Sequence, residues 1–521
     1  QNFTIMIRKL LILPALFFIS ISFSQEVFDA NTIEKIKKEG LNNSHVEKIA
    51  FELIDKAGSR LTNSQGYKRA ANYAVDQLSK WGLKNSKTEV WGEFGKGWEI
   101  EKNYVAMTKP YYMSFVAVPK AWTEGTNGPI SGKVIMVDIK SEADFAKYKG
   151  KLKGAIVLVK ANGSQAPTFE ADAVRFSHEA LNKMEQPAKP RARRNAGNND
   201  MEARRAAWMK RRALNQKITT FLVNEGVALQ VTGKNGRHGT LFTSGGRGYL
   251  KDAPKSLSEL EMAPEHANLM ARLINNGVEV EIEAEVKTSF NSKSLNGYNV
   301  VAEIPGSDKK LKAEVVMLGA HLDSWHGATG ATDNAAGSIV MMEAVRILKA
   351  IGVSPKRTIR IALWDGEEQG LHGSRGYVKN HFGDPATKKF TKENEKVAGY
   401  FNIDNGTGRV RGIYTQGNKK VVPIFKSWFT PFSDMIDNTT VTTNNTGGTD
   451  HLAFDAVGIP GFQFIQDPVE YRSRTHHTNA DTYERLVMDD LKQMAVIVAS
   501  FVYNTAQRDA KLPRKGTQAS R

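Results

Sequence analysis

Two hydrophobic periods alternate along this chain, and the places where one gives way to the other divide it. Over residues 29 to 84 the apolar positions of "NTIEKIKKEG" and "SHVEKIAFELIDKAG" recur every three or four residues. Each segment closes on a glycine, so both are predicted helices. A third helix is predicted in "SQGYKRAANYAVDQLSKWGL", opened by Ser64 as N-cap and closed at Gly82. The texture then shortens to β-rich pieces: "TEVWGEF", "NYVAMT", "MSFVAV", "GKVIMVDI" and "GAIVLVK". Further on, "ITTFLVNEGVALQVTG" reads as helix, turn and strand, and "VEVEIEAEVKT" alternates strictly, as a half-exposed strand does.

From residue 297 strand and helix alternate. "EVVMLGA" and "RTIRIALW" are near-continuous apolar runs, as strands buried on both faces are. Between them "SIVMMEAVRILKAIG" keeps only a narrow polar stripe of Glu343, Arg346 and Lys349, so it is predicted to lie against a sheet. "KVAGYFNID" and "IPGFQFIQ" add strands, and "MDDLKQMAVIVASFVYNTA" a closing helix. The expected fold class is α/β: a doubly wound mixed sheet with helices on both faces, interrupted by a β-rich insert. The expected units are 25–114 and 291–508 for the main domain and 115–290 for the insert, with a basic helical stretch at 189–217 and a basic tail at 509–521.

The N-terminus stands outside this pattern. Met6-Ile7-Arg8-Lys9 precedes the apolar run "LLILPALFFISISFS", and Ser22 and Ser24 are small residues at a cleavage site before Gln25. Residues 1–24 are therefore expected to be a signal peptide, cut near Ser24, for export to a periplasmic or extracellular space. No later window reaches the ~20 apolar residues of a membrane span, so no transmembrane segment is expected. The chain has no cysteine, which excludes disulfides, thiolate metal ligands and a cysteine nucleophile. Net charge is +17, much of it in 189–217 and the tail. Without interleaved aromatics or a binding motif this reads as a solvated helix and tail, and no nucleic-acid partner is expected.

Acids and histidines collect where buried strands end. "VVMLGAHLD" delivers His321 and Asp323, and the following loop delivers Asp333 in "GATDNAAG". "IRIALWDGEEQG" delivers Asp365, Glu367 and Glu368, "AGYFNIDNGTG" delivers Asp404, and "SRTHHTNADTYE" delivers His476, His477 and Asp481. The carboxyl ends of strands form the functional crevice of open α/β sheets, so these groups are expected to converge. Converging carboxylates repel unless cations sit among them. Imidazoles and carboxylates without sulfur suit a pair of zinc-class ions, which can activate water and polarise a carbonyl or phosphoryl oxygen.

With these motifs in hand the chain resembles the M28 metallopeptidases, and within them the branch of plasma glutamate carboxypeptidase-like enzymes and aminopeptidases with an inserted protease-associated (PA) domain. The resemblance runs from "AGSRLTNSQGYKRAANYAVDQLSKWGL" to "THHTNADTYERL", and "WDGEEQGLHGSRGY" and "GGTDHLAFDAVGIPGFQF" are its other specific segments. It implies a zinc exopeptidase fold and two Zn2+ per chain. His321 and Asp404 would hold the first zinc, Asp333 would bridge both, and Glu368 and His477 would complete the second. Glu367 would be the general acid/base, and Asp323 would accept the other ring N–H of His321. The bond between Asp333 and Asn334 is expected to be cis. His477, not His476, lies four residues before the Asp481-Thr482 pair that the family pattern demands. His476 would line the pocket or help hold an oxyanion, with Tyr471 a candidate by proximity in sequence. His451 would serve the substrate pocket or the structure, and His326 and His372 would lie at the surface or behind the ligands.

The expected substrate is a short peptide, trimmed as an aminopeptidase or dipeptidase, with a carboxypeptidase of the plasma type as the alternative. A single-zinc glutaminyl cyclase and a catalytically inactive binding homologue are the rival readings. The intact ligand set argues against both. A homodimer is left open.

Overall fold

The computed structural model describes residues 26, 28–159, 166–187 and 198–516; the expected signal peptide and residues 188–197 lie outside them. Two eight-stranded sheets organise these residues. In the first, four parallel strands lie side by side in the order Thr358–Trp364, Val315–His321, Val397–Asn402 and Gly461–Gln466. Asn296–Ile304 and then Lys84–Glu93 extend one edge antiparallel, and Val410–Tyr414 and Thr440–Thr442 extend the other, so the sheet is mixed.

Alternation along the central strands divides their side chains between two layers. Val316, Leu318, Ala320, Ile359, Ile361 and Leu363 join the core beneath the helices Ala336–Ala350 and Met488–Gln507. Met317, Ala362 and Trp364 join the opposite core with Tyr377 and Val378 of the helix His372–His381 and Phe454. Helices therefore cover both faces, and each fully buried Leu, Ile or Val contributes roughly 1.5–3 kcal/mol. Glu343 and Arg346 of the expected polar stripe are buried rather than solvated. Arg346 donates to Glu343 at 2.7 Å and to Glu39 of the first helix at 2.6 Å, which is what lets a charged stripe lie inside the stack.

Ser64 caps Gln65–Lys80 as expected, accepting the Tyr67 N–H at 3.1 Å. Gly40 does not end the first helix, which runs over Ala30–Asn42. A Cβ at Gly40 would lie 2.5 Å from Val496 Cγ2 and 2.8 Å from Ile347 Cδ1, so this glycine is there for close helix packing.

The second sheet draws all its strands from residues 97 to 291. It begins earlier than the expected boundary at 115, because Gly97–Lys109 pairs antiparallel along Glu281–Asn291. That pairing joins segments far apart in sequence and leaves no local signal. From the basic stretch, Asn198–Asn224 is one helix, and residues 205–213 on it are exposed throughout. No helix among the described residues is long and apolar enough to cross a membrane.

Candidate metal centre

Two imidazoles face opposite oxygens of one carboxylate. His321, the last residue of Val315–His321, places Nε2 3.4 Å from Asp333 Oδ1 and 3.4 Å from Asp404 Oδ1. His477 places Nε2 3.3 Å from Asp333 Oδ2 and 2.9 Å from Glu368 Oε2. Glu367 Oε2 stands 4.0 Å from His321 Nε2, farther than either aspartate. Asp333 thus lies between a His321–Asp404 set and a His477–Glu368 set.

His321, Asp404 and the two glutamates are positioned by strand ends. Asp404 follows Val397–Asn402, and the two glutamates follow Thr358–Trp364. The turn before the helix Ala336–Ala350 carries Asp333, and the Asp333–Asn334 peptide bond is cis, as expected. Asn334 donates to Ile403 O at 2.9 Å and accepts Gly337 N–H at 3.0 Å, fixing that turn. Gly330 sits at φ +61°, where a Cβ would fall 2.3 Å from Ser324 Cβ. Asp481 accepts the N–H groups of Thr332 at 2.7 Å and Asp333 at 3.0 Å, holding the bridging residue from behind.

Asp323 differs from expectation in detail. His321 Nδ1 lies 3.0 Å from the backbone carbonyl of Asp323 and 3.5 Å from its carboxylate, so the carbonyl is the nearer partner. The carboxylate accepts the N–H groups of Glu367 and Glu368, each at 3.2 Å. Asp365, also at a strand end, turns away: it accepts Trp91 Nε1–H at 3.1 Å and Tyr298 N–H at 3.0 Å.

His326 is buried, not at the surface, with Nε2 2.7 Å from Pro119 O and its ring edge-on to Trp98. His372 stacks on Trp91. His476 stacks on His477 at 3.7 Å, and its Nε2 lies 4.0 Å from Asp333 Oδ2. Tyr471 is buried against His476, and burial together with Asp333 and Asp404 raises its hydroxyl pKa.

The electrostatics are those of a cation site. Burial raises the Glu367 carboxyl well above its usual range, with Asp404, Asp450 and Glu368 adding to the shift and His321 opposing it. Burial likewise raises Glu368, with Asp333 adding. Asp450 and Asp481 are each pushed up to about 7, chiefly by burial. Asp333 is lowered instead: burial opposes this, but the imidazoles of His321, His477 and His476 outweigh it. Asp333 Oδ2 and Glu368 Oε1 are buried without a hydrogen-bond partner, and such orphaned oxygens call for a cation. Nitrogen and oxygen donors without sulfur fit zinc-class ions.

Two residues here were missed by sequence reasoning. Arg60 is fully buried and donates to the carbonyls of Leu322, Thr329 and Gly330 at 2.6, 2.6 and 2.7 Å. Burial lowers its pKa to about 10, and Asp481, Asp323, Asp333 and Glu368 oppose that shift. Its only signal was a lone arginine among small residues in "AGSRLTNSQG". Asp450 lies next to His451 in "GGTDHLAF", where the histidine drew attention instead.

Fold and site together place a candidate metal centre at the strand ends of an α/β sheet. Residues 299–502 match the model of Peptidase family M28. Carboxypeptidase Q of Rattus norvegicus is 31% identical over 251 residues, covering 48% of this chain and 50% of that protein. The chain thus spans about half the length of the curated relatives it matches. The structure of a peptidase M28 precursor from Shewanella amazonensis has the same fold, with a TM-score of 0.64 at 22% identity over 94% of this chain and 99% of that one. A zinc aminopeptidase from Bacillus subtilis shares it at a TM-score of 0.55 and 18% identity, over 90% and 96%.

Proposed function

We propose that this protein is an exported di-zinc exopeptidase that hydrolyses terminal peptide bonds of short peptides. The observation that carries this reading is the carboxylate of Asp333, with His321 on one oxygen and His477 on the other. His321, Asp333 and Asp404 would hold one zinc, and Asp333, Glu368 and His477 the other. Zinc bound there supplies Lewis acidity, which acidifies water and polarises a carbonyl.

The remaining work falls to the protein. Glu367 takes the proton of the attacking water and returns it to the leaving amine. Burial raises its carboxyl pKa in the metal-free chain, the direction that favours holding a proton. Asp323 keeps Glu367 and Glu368 apart in direction by accepting both of their N–H groups. The unit built on the second sheet is read as the PA-type insert.

Aminopeptidase or dipeptidase action is the first reading. The excess of carboxylates around the centre suits a substrate's free α-ammonium. Carboxypeptidase action is the second reading, favoured by the similarity to carboxypeptidase Q. A panel of dipeptides, each N-acetylated or C-amidated in turn, decides. An aminopeptidase loses the N-acetylated substrates and keeps the C-amidated ones, a carboxypeptidase does the reverse, and a dipeptidase loses both. Turnover of none of the panel, with zinc bound, refutes the exopeptidase reading.

A further inference from the structure

His477 lies in the loop that follows Gly461–Gln466, and chain from the second sheet's region grips this loop from two sides. On one side Val174 N–H donates to Val469 O at 3.0 Å and Phe176 N–H to Asp467 Oδ1 at 2.9 Å. Arg474 donates to Asp172 at 2.6 Å on the same side. On the other side Thr243 donates twice to the carbonyl of His477, from its N–H at 2.8 Å and its hydroxyl at 3.1 Å. Leu241 N–H donates to Asn479 Oδ1 at 2.8 Å, and Asn479 Nδ2 donates to Gly239 O at 3.2 Å. Phe242 and Thr478 form a backbone bridge between these bonds.

The residue so gripped is held in an uncommon conformation. His477 has φ +59°, a left-handed backbone seldom adopted by residues other than glycine. Such a conformation persists where the surroundings over-determine it. Thr243 fits because residue 327 is glycine: a Cβ there would lie 2.4 Å from Thr243 Cγ2. His321 needs no such support, since it ends a central strand and its carbonyl accepts Ser338 Oγ–H at 2.9 Å.

We propose that Thr243 and Asn479 are positioning residues through which the second-sheet unit sets the backbone of His477, so that this unit completes one of the two metal sites. The proposal rests on the zinc reading above. The His477–Glu368 site depends on the contact between the two units, whereas His321 ends one strand of the first sheet and Asp404 follows another. Partners behind a metal ligand typically carry 10–100-fold of metal affinity.

The experiment measures zinc affinity by chelator competition for the wild type, Asn479→Leu, Thr243→Val and Thr243→Ser, with thermal melting of each apo protein. We expect two zinc ions in the wild type. Asn479→Leu should weaken one site roughly 10–100-fold and spare the other. Thr243→Val should show a smaller loss at the same site, and Thr243→Ser, which keeps the hydroxyl, should behave as wild type. Apo melting temperatures should match, and excess zinc should restore kcat. If Asn479→Leu fails to fold, Thr243→Val against Thr243→Ser carries the test. Unchanged affinity in the variants, or equal weakening of both sites with lower apo melting, overturns this inference alone. A wild type that binds no zinc overturns the proposed function as well.

Discussion

Glu367 and Glu368 both donate their backbone N–H groups to the carboxylate of Asp323, yet their own carboxylates face different imidazoles. Glu368 Oε2 is 2.9 Å from His477 Nε2, within direct reach of a shared ion. Glu367 Oε2 stands back at 4.0 Å from His321 Nε2, on the side of Asp404. Two adjacent acids on one shared acceptor thus face different imidazoles, and with them take two expected roles.

Substitution should separate those roles. Glu367→Gln keeps size and polarity but removes basicity, so both zinc ions should remain while kcat falls roughly 10²–10⁴-fold. Glu368→Gln removes a charged ligand, so zinc content should drop at one site and excess zinc should partly rescue turnover. Metal stoichiometry with kcat and KM for both variants is the measurement. Zinc rescue of Glu367→Gln, with normal metal content in Glu368→Gln, would show the roles reversed.

Removal of metal should abolish activity, because the buried acids of the centre are not balanced by hydrogen bonds alone. Dialysis against a strong chelator should stop peptide hydrolysis, and zinc or cobalt should restore it. Full turnover with metal content near zero would falsify the metal-dependent reading.

Asp323→Ala should damage both stability and turnover. It strips the acceptor from the buried N–H of Glu367 and the part-buried N–H of Glu368, and an unsatisfied buried donor costs roughly 1–3 kcal/mol. A lower melting temperature together with a fall in kcat is expected, since both glutamates lose their orientation. Wild-type kcat in this variant would mean that the turn holds the glutamates without Asp323.

The residues that meet around Asp333 were expected to converge because most of them follow an apolar strand, and a strand's carboxyl end is a fixed address in an open α/β sheet. Asp365 shows the limit of that rule: it occupies such an end but is held by Trp91 and Tyr298. Local periodicity also misread Gly40, whose role depends on Val496 and Ile347, far along the chain. The early start of the second sheet was hidden for the same reason, since Gly97–Lys109 becomes a strand of that sheet by pairing with Glu281–Asn291. Arg60 was illegible because it binds carbonyls of the loop after His321, and a backbone acceptor leaves no mark in sequence. The burial of His326 against Pro119 and Trp98 is likewise a contact between the two units, not a local pattern.

His451 gives the chain a defined sensitivity to acid. It is buried at the start of the short helix His451–Asp455, and burial pushes its pKa down to about 4, with Asp404 opposing and Lys515 adding to the shift. The unfolded chain takes up this proton below about 6.5, and the folded chain does not until about 4. Between those values the unfolded state binds more protons, so stability should fall as pH drops from 6.5 to 4 and level off below. The shift sets an upper size of about 3 kcal/mol for the contribution. Metal binding is itself pH-dependent, so the comparison belongs to chelated protein, with wild type and His451→Gln melted at a series of pH values. The variant's melting temperature should vary less steeply across this window, whatever its absolute stability. Parallel curves for the two proteins would remove His451 from the acid response.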